Sequence, residues 1–214
     1  MRWRITILVG LLGLMLPALV GAQEVVDRIV VRIERDILTL SEVRELVRFQ
    51  QLVEGRAVDE DRALEQLIEQ WIVKSEAEAA RFPRPGNAEI ENELAQLRRR
   101  FDSLEAWRAR LAELGLSEAA VKRLVERQLY LARYLDYKFR PAAQVEPEEI
   151  DKYYRETLLP QLLARGQPAP PLENVEEQIR EVLTQREISA RAAKWLDETR
   201  QRLRIERIGM RSRP

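Results

Sequence analysis

The chain has 214 residues, with 36 Lys+Arg balanced by 36 Asp+Glu and neither His nor Cys. That absence excludes Ser-His and Cys-His nucleophile pairs, Cys/His zinc sites, disulfides and histidine proton shuttles. A net charge of zero gives no electrostatic reason to expect nucleic acid as a partner, and 45% apolar with 34% charged residues fits helices with one buried stripe and a salt-bridged outer face.

Residues 1–22 have the pattern of a secretory signal peptide: basic Arg2 and Arg4, an apolar run over 5–16, Pro17, and a small-residue end at Val20-Gly21-Ala22. The apolar run is short for a spanning helix and lacks a Cys for lipid attachment. Cleavage before Gln23 is therefore expected, giving an exported protein with no stable membrane anchor. A retained anchor is the alternative, weakened by Gly10, Gly13 and Pro17.

From 25 to 38 the chain is β-branched, with Ile29, Val31 and Ile33 alternating with Val30, Arg32 and Glu34. A strand is expected there, then a turn at Glu34-Arg35-Asp36 and a return through Ile37-Leu38, although the usual Asn-Gly or Asp-Gly is missing. Thr39 and Glu42 make a capping box for a first helix, which Gly55 is placed to end. A second helix over 59–81 carries Leu64, Leu67, Ile68, Trp71, Ile72 and Ser75 on one stripe and stops before Pro83 and Pro85. The third starts at Asn87 with Ile90, Leu94, Leu97 and Phe101 on one face. Asp102 with Glu105 is expected to cap a fourth ending at Gly115, and Ser117 to open a fifth running to Phe139.

The fifth helix carries two lines of side chains. Leu124, Gln128, Leu131 and Leu135 form one, and Tyr130, Tyr134 and Tyr137 form another about 120° around the axis. Pro147, Glu148 and Glu149 begin a sixth helix bearing Ile150, Tyr153, Tyr154 and Leu158, expected to fade near Pro160. Gly166 to Pro171 is the one clear linker of the exported chain, stiffened by three prolines. Asn174 is expected to cap a long last helix whose stripe of Val175, Ile179, Val182, Leu183, Ala193, Leu196 and Leu203 is interrupted by Arg186 and Ser189. Residues 203–208 alternate like a strand, and 209–214 form a basic tail. A strand at each end suggests closure, because a hairpin alone is marginal and a third strand completes a sheet.

The resulting organisation is a leader (1–22), an N-terminal helical segment (23–165), a Pro-rich linker (166–173), a C-terminal helix and strand completing the core (174–208), and a tail (209–214). The fold class expected is mainly α, a multi-helix core with a small β-hairpin or three-stranded sheet joining the N- and C-terminal strands.

Several segments resemble SurA-type periplasmic chaperones. Residues 26–33 followed by 37–43 are similar to that family's opening strand, turn and first helix; Leu64 to Ala77 is similar to its second helix, and Val145 to Ile150 with Tyr153-Tyr154 to the approach to its isomerase module. Val175 to Leu183, Ala192 to Leu196 with Arg200, and Ile205 to Ile208 resemble its closing helix and strand. In that family parvulin-type prolyl isomerase domains are inserted between the N-terminal and last segments. Here only ten residues separate Leu163 from Asn174, against roughly 100 for a domain, so the resemblance implies a chaperone core without the isomerase. The absence of His fits poorly with a parvulin active site.

The remaining chemistry is sparse. Glu146, Glu148, Glu149 and Asp151 cluster at a helix start, and Glu76 and Glu78 lie on a helix face, placements that suit dipole and solvent better than an acid pair in a cleft. Arg98-Arg99-Arg100 suits a solvated face, and no glycine-rich phosphate loop exists. Neither catalytic residues nor metal nor cofactor are expected. Trp71 is assigned to the core. The candidates for holding a client are Tyr130, Tyr134, Tyr137, Tyr153, Tyr154 and Trp195, with packing of the tyrosine line against the sixth or last helix left open as the alternative. The function expected is a periplasmic, ATP-independent holdase for unfolded envelope or outer-membrane protein segments. An envelope adaptor binding one folded partner, or a homodimer made by swapping the last helix, is the other reading.

Overall fold

A computed structural model describes residues 27–56 and 58–208. The leader, the residues of the first strand before Asp27, and the tail lie outside the described residues.

β1 (Ile29–Ile33) and β2 (Asp36–Thr39) form an antiparallel hairpin around Glu34-Arg35. Asp36, expected in the turn, instead pairs with Ile33 as the first residue of β2. Glu34 sits at φ +52, a region that costs a non-glycine residue roughly 1–2 kcal/mol. Its N–H donates to the Arg204 carbonyl at 3.0 Å, and its carboxylate accepts from the Arg204 N–H at 2.7 Å. Those long-range bonds hold the turn that no Asn or Gly provides. β3 (Ile205–Arg207) pairs antiparallel with β1, giving the order β2-β1-β3, and the Ile208 N–H donates to the Val30 carbonyl at 2.8 Å. The first and last described segments thus close on one small sheet.

α1 (Leu40–Glu54) starts with the Thr39–Glu42 capping box and ends at Gly55. α2 (Glu60–Ala79) buries Leu64, Leu67, Ile68 and Ile72 as expected, but Ser75 is exposed and Val73 and Ala77 are buried in its place. The buried arc is wider than one stripe because α1 and the sheet cover one side of α2 while α5 and α8 cover another. Its C-terminus turns through Arg81 at φ +53, with the Phe82 N–H bonded to the Ala77 carbonyl and the Arg81 N–H to that of Glu78. This reverse-turn cap throws the Phe82 ring back onto the protein.

α3 (Asn87–Arg98) buries Ile90, Leu94 and Leu97, and Phe101, just past its end, packs edge-on against Trp107 at 5.2 Å. α4 (Leu104–Leu114) is capped by Ser103, not by Asp102; the Ser103 hydroxyl accepts from the Ala106 N–H at 3.1 Å, and Asp102 stands one residue too early to do so. α5 (Glu118–Phe139) is capped by Ser117 as expected.

α6 (Pro147–Tyr153) does not fade at Pro160. It passes through a wide turn (Tyr154–Leu158) into α7 (Leu159–Ala164), with the Leu159 N–H reaching the Tyr154 carbonyl. That wider spacing accommodates a proline in the first turn of α7, where no N–H is required of it. α8 (Glu176–Arg200) begins two residues after Asn174, which lies in a short 3-10 turn (Leu172–Asn174) and caps nothing.

The core has three connected parts. One joins α1, α3, α4 and α5 around Trp107 and Phe49; one joins the sheet, α1 and α2; the third joins α2, α5 and α8 around Tyr130 and Tyr134. Each large side chain fully buried there contributes roughly 1.5–3 kcal/mol. Glu65 of α2 accepts from both Arg200 and Arg207, fastening the end of α8 and β3 to the first segment. Among the described residues no helix is long and apolar enough to cross a membrane.

Candidate functional site

The six aromatic candidates fall in three places. Tyr130 and Tyr134 are 4% and 3% exposed and belong to the core, so the expectation that the whole tyrosine line forms one client surface is corrected. Phe82 covers them: its ring lies 5.9 Å from that of Tyr130 and 5.5 Å from that of Tyr134. Burial raises the Tyr130 phenol above its ordinary pKa, and its hydroxyl donates to the Phe82 carbonyl at 3.3 Å. The covering group is thus the connection after α2, not the sixth helix, with Trp195 and Leu196 of α8 adding to the same cluster. Only Tyr137 remains exposed, at the edge of Phe82 with 5.2 Å between rings.

Trp195 is half-buried between two parts of the core. Its ring lies 5.8 Å from Phe139 and under the Lys138 ammonium at 4.7 Å, so it locks α8 onto α5.

Tyr153 and Tyr154 have a different setting. The end of α7 closes on Gly166 at φ +66, with the Gln167 N–H bonded to the Leu162 carbonyl and the Gly166 N–H to that of Leu163. Glycine meets this left-handed requirement without strain and turns residues 167–171 back along the arm. The Tyr154 hydroxyl donates to the Pro170 carbonyl at 2.7 Å and pins the returning proline segment. Between this arm and the first half of α8 lies an open groove of about 480 Å³. Tyr153, Leu158, Leu162, Pro168, Pro170 and Val182 supply its main apolar walls, and Gln167 and Gln178 its polar edge. The Arg186 guanidinium stacks 4.8 Å from the centre of the Tyr153 ring at one end. Val182 is 41% exposed and the neighbouring Leu163 is 69% exposed, a concentration of apolar surface that a soluble fold usually covers.

No carboxylate, ammonium or guanidinium lines the groove. What it offers chemically is burial of apolar side chains, with amide groups at the rim able to bond a passing main chain. Sequence reasoning found Tyr153 and the Val175, Ile179, Val182 stripe, and read the prolines only as a spacer. It missed Leu158, Leu162, Pro168 and Pro170 as walls, because nothing local signals that the linker folds back over α8.

Four of the six acidic residues weighed as catalytic pairs are engaged in structural roles. Glu149 accepts from the Glu146 N–H at 2.9 Å, Asp151 pairs with Arg155 at 2.7 Å, Glu76 with Lys138 at 3.8 Å and Glu78 with Arg84 at 2.9 Å. In the basic run, Arg98 pairs with Glu118 and Arg100 donates to the Val53 carbonyl. Burial raises the Glu69 carboxyl above its ordinary pKa, an effect opposed by the nearby Arg200 charge. Among the described residues no group of three or more acidic side chains is arranged to hold a metal ion. The chain matches no family model and no curated protein.

Proposed function

We propose that this protein is an ATP-independent holdase of the SurA type, lacking a prolyl isomerase domain, that holds unfolded envelope or outer-membrane protein segments in the periplasm. The observation that carries this reading is the open apolar groove between the α6–α7 arm and α8, edged with the amides of Gln167 and Gln178. The mechanism is partition. An apolar segment of an unfolded client leaves water at roughly 25 cal/mol per Å² buried, in competition with its own aggregation. The polar edge keeps each contact weak and reversible, so no nucleotide is needed for release. Closure of the first and last described segments on one sheet supports the same reading, since a core assembled from the two sides of 166–173 does not depend on a domain inserted there.

The test is suppression of aggregation of a urea-diluted outer-membrane protein, followed by light scattering at near-stoichiometric ratio without nucleotide. Suppression is expected, and Val182→Arg, at an exposed position that tolerates charge, should weaken it by about tenfold for the loss of one apolar contact face. No suppression by the unaltered protein removes the holdase reading. A single saturable affinity for one folded partner, with none for unfolded segments, would replace it with an adaptor.

A further inference from the structure

The sheet carries a second surface, separate from the α6–α8 groove. With the order β2-β1-β3, β2 has one unpaired edge among the described residues. The pairing decides which groups point there. Val30 accepts from the Ile208 N–H, and the Glu34 N–H donates to Arg204, so the even-numbered residues of β1 turn their main chains toward β3. Val31 and Ile33 therefore face β2, where they oppose Leu38 and Asp36. Ile37, opposite Arg32, turns its own N–H and C=O outward, and its side chain is 47% exposed. The next outward N–H, on Thr39, is occupied by Glu42 at 2.8 Å, so the edge presents Ile37 alone.

That edge is one wall of a groove of about 330 Å³ whose floor is Leu67 and Trp71 of α2. Around it stand Arg35 from the hairpin, Lys74 from α2 and Arg127 from α5. Among the described residues none of these three cations makes an ion pair, although many surface cations elsewhere do. The two carboxylates at the groove are already engaged: Asp36 accepts from Trp71 Nε1 at 2.9 Å, and Glu42 closes the cap of α1. Unpaired main-chain groups of Ile37 thus coincide, along one strand length, with three cations that make no ion pair among the described residues and that outnumber the two carboxylates of the lining.

We propose that this groove docks an extended peptide segment bearing acidic side chains, which adds to the sheet beside Ile37 and places its carboxylates against Arg35, Lys74 and Arg127. Main-chain bonds to Ile37 give strand-addition affinity without reading sequence, and the three cations select for acidic side chains. Binding is weak and falls with salt, since Arg35 and Lys74 are exposed and Arg127 is only half-buried. The site stands on its own observations, and it would persist if the α6–α8 groove took no client.

The experiment uses the full exported chain and a fluorescein-labelled ten-residue peptide alternating Asp with Val and Thr, acetylated and amidated so that it lacks a terminal carboxylate. Anisotropy should show binding that is lost when Lys replaces Asp, and that weakens about tenfold in the Lys74→Glu, Arg127→Glu double variant. Ile37→Pro removes the outward N–H at an edge position and should weaken it as well, as should N-methylation of the central peptide amides, which leaves the protein untouched. Val182→Arg should leave it unchanged, which separates this site from the holdase groove. Equal binding of the Lys peptide, or full binding by the N-methylated peptide, overturns the proposal. So does preference for a neutral peptide with a free C-terminus, or sedimentation showing that the edge pairs with a second copy of the chain.

Discussion

Replacing Phe82 with Ala tests whether the tyrosine line of α5 is core or surface. The Phe82 ring touches all three tyrosines, at 5.9, 5.5 and 5.2 Å between centres, and the Arg133 guanidinium lies 5.9 Å over its face. Beneath it Tyr130 and Tyr134 are almost fully buried. Truncating a fully buried Phe costs about 3–5 kcal/mol, part of it from ring contacts worth about 0.5–1.5 kcal/mol each. Phe82 is itself half-buried, so a loss of about 2–3 kcal/mol is expected. At about 2–4 °C per kcal/mol for a chain of this size, Tm should fall by roughly 5–10 °C in thermal melts followed by circular dichroism. Phe82→Leu, which keeps most of the volume but no ring, should lose less than half as much. An unchanged Tm together with stronger capture of unfolded clients would refute this account, because Phe82 would then be a removable lid over a tyrosine surface.

Two further perturbations read local electrostatics and capping. Ser103→Ala should cost about 1 kcal/mol by urea denaturation, whereas Asp102→Ala should stay within about 0.5 kcal/mol; the reverse ranking would restore Asp102 as the cap of α4. Arg140 ties the end of α5 to α8 by bonds of 2.9 Å to Asp136 and of 2.8 and 3.0 Å to Glu181. Its guanidinium holds the Glu181 pKa at about 2, against an ordinary 4.5, and lowers that of Asp136 as well. Such carboxylates bind protons less readily when folded than when unfolded, so their stabilisation is complete above pH 4.5 and is lost as the pH falls toward 2. Both are more than a third exposed, which limits the contribution to about 1 kcal/mol after solvent screening. Arg140→Met should flatten the dependence of stability on pH across that window, and identical slopes in the two proteins would count against the linkage.

Much of the architecture was legible in residues whose partners lie within a turn. Thr39 with Glu42, Ser117, and Gly115 act on main-chain groups no more than four residues away, so their positions alone located helix ends. Strand alternation at both termini likewise announced a sheet closed by the last segment. The absence of His and Cys determined by itself which chemistries could not occur. Where a local signal had two equivalent carriers, as with Asp102 and Ser103, only the backbone angles distinguished them.

Tertiary structure decided what covers each apolar face. Helical periodicity gives the direction in which a side chain leaves the axis but says nothing of what stands opposite. Tyr130 and Tyr134 are buried by Phe82, some fifty residues earlier in the chain, and Tyr153 is left beside an open groove by a linker that folds back through Gly166 and Pro170. The unpaired edge of β2 and the three cations around it, drawn from a hairpin and two different helices, likewise exist as a surface only because packing brings them together.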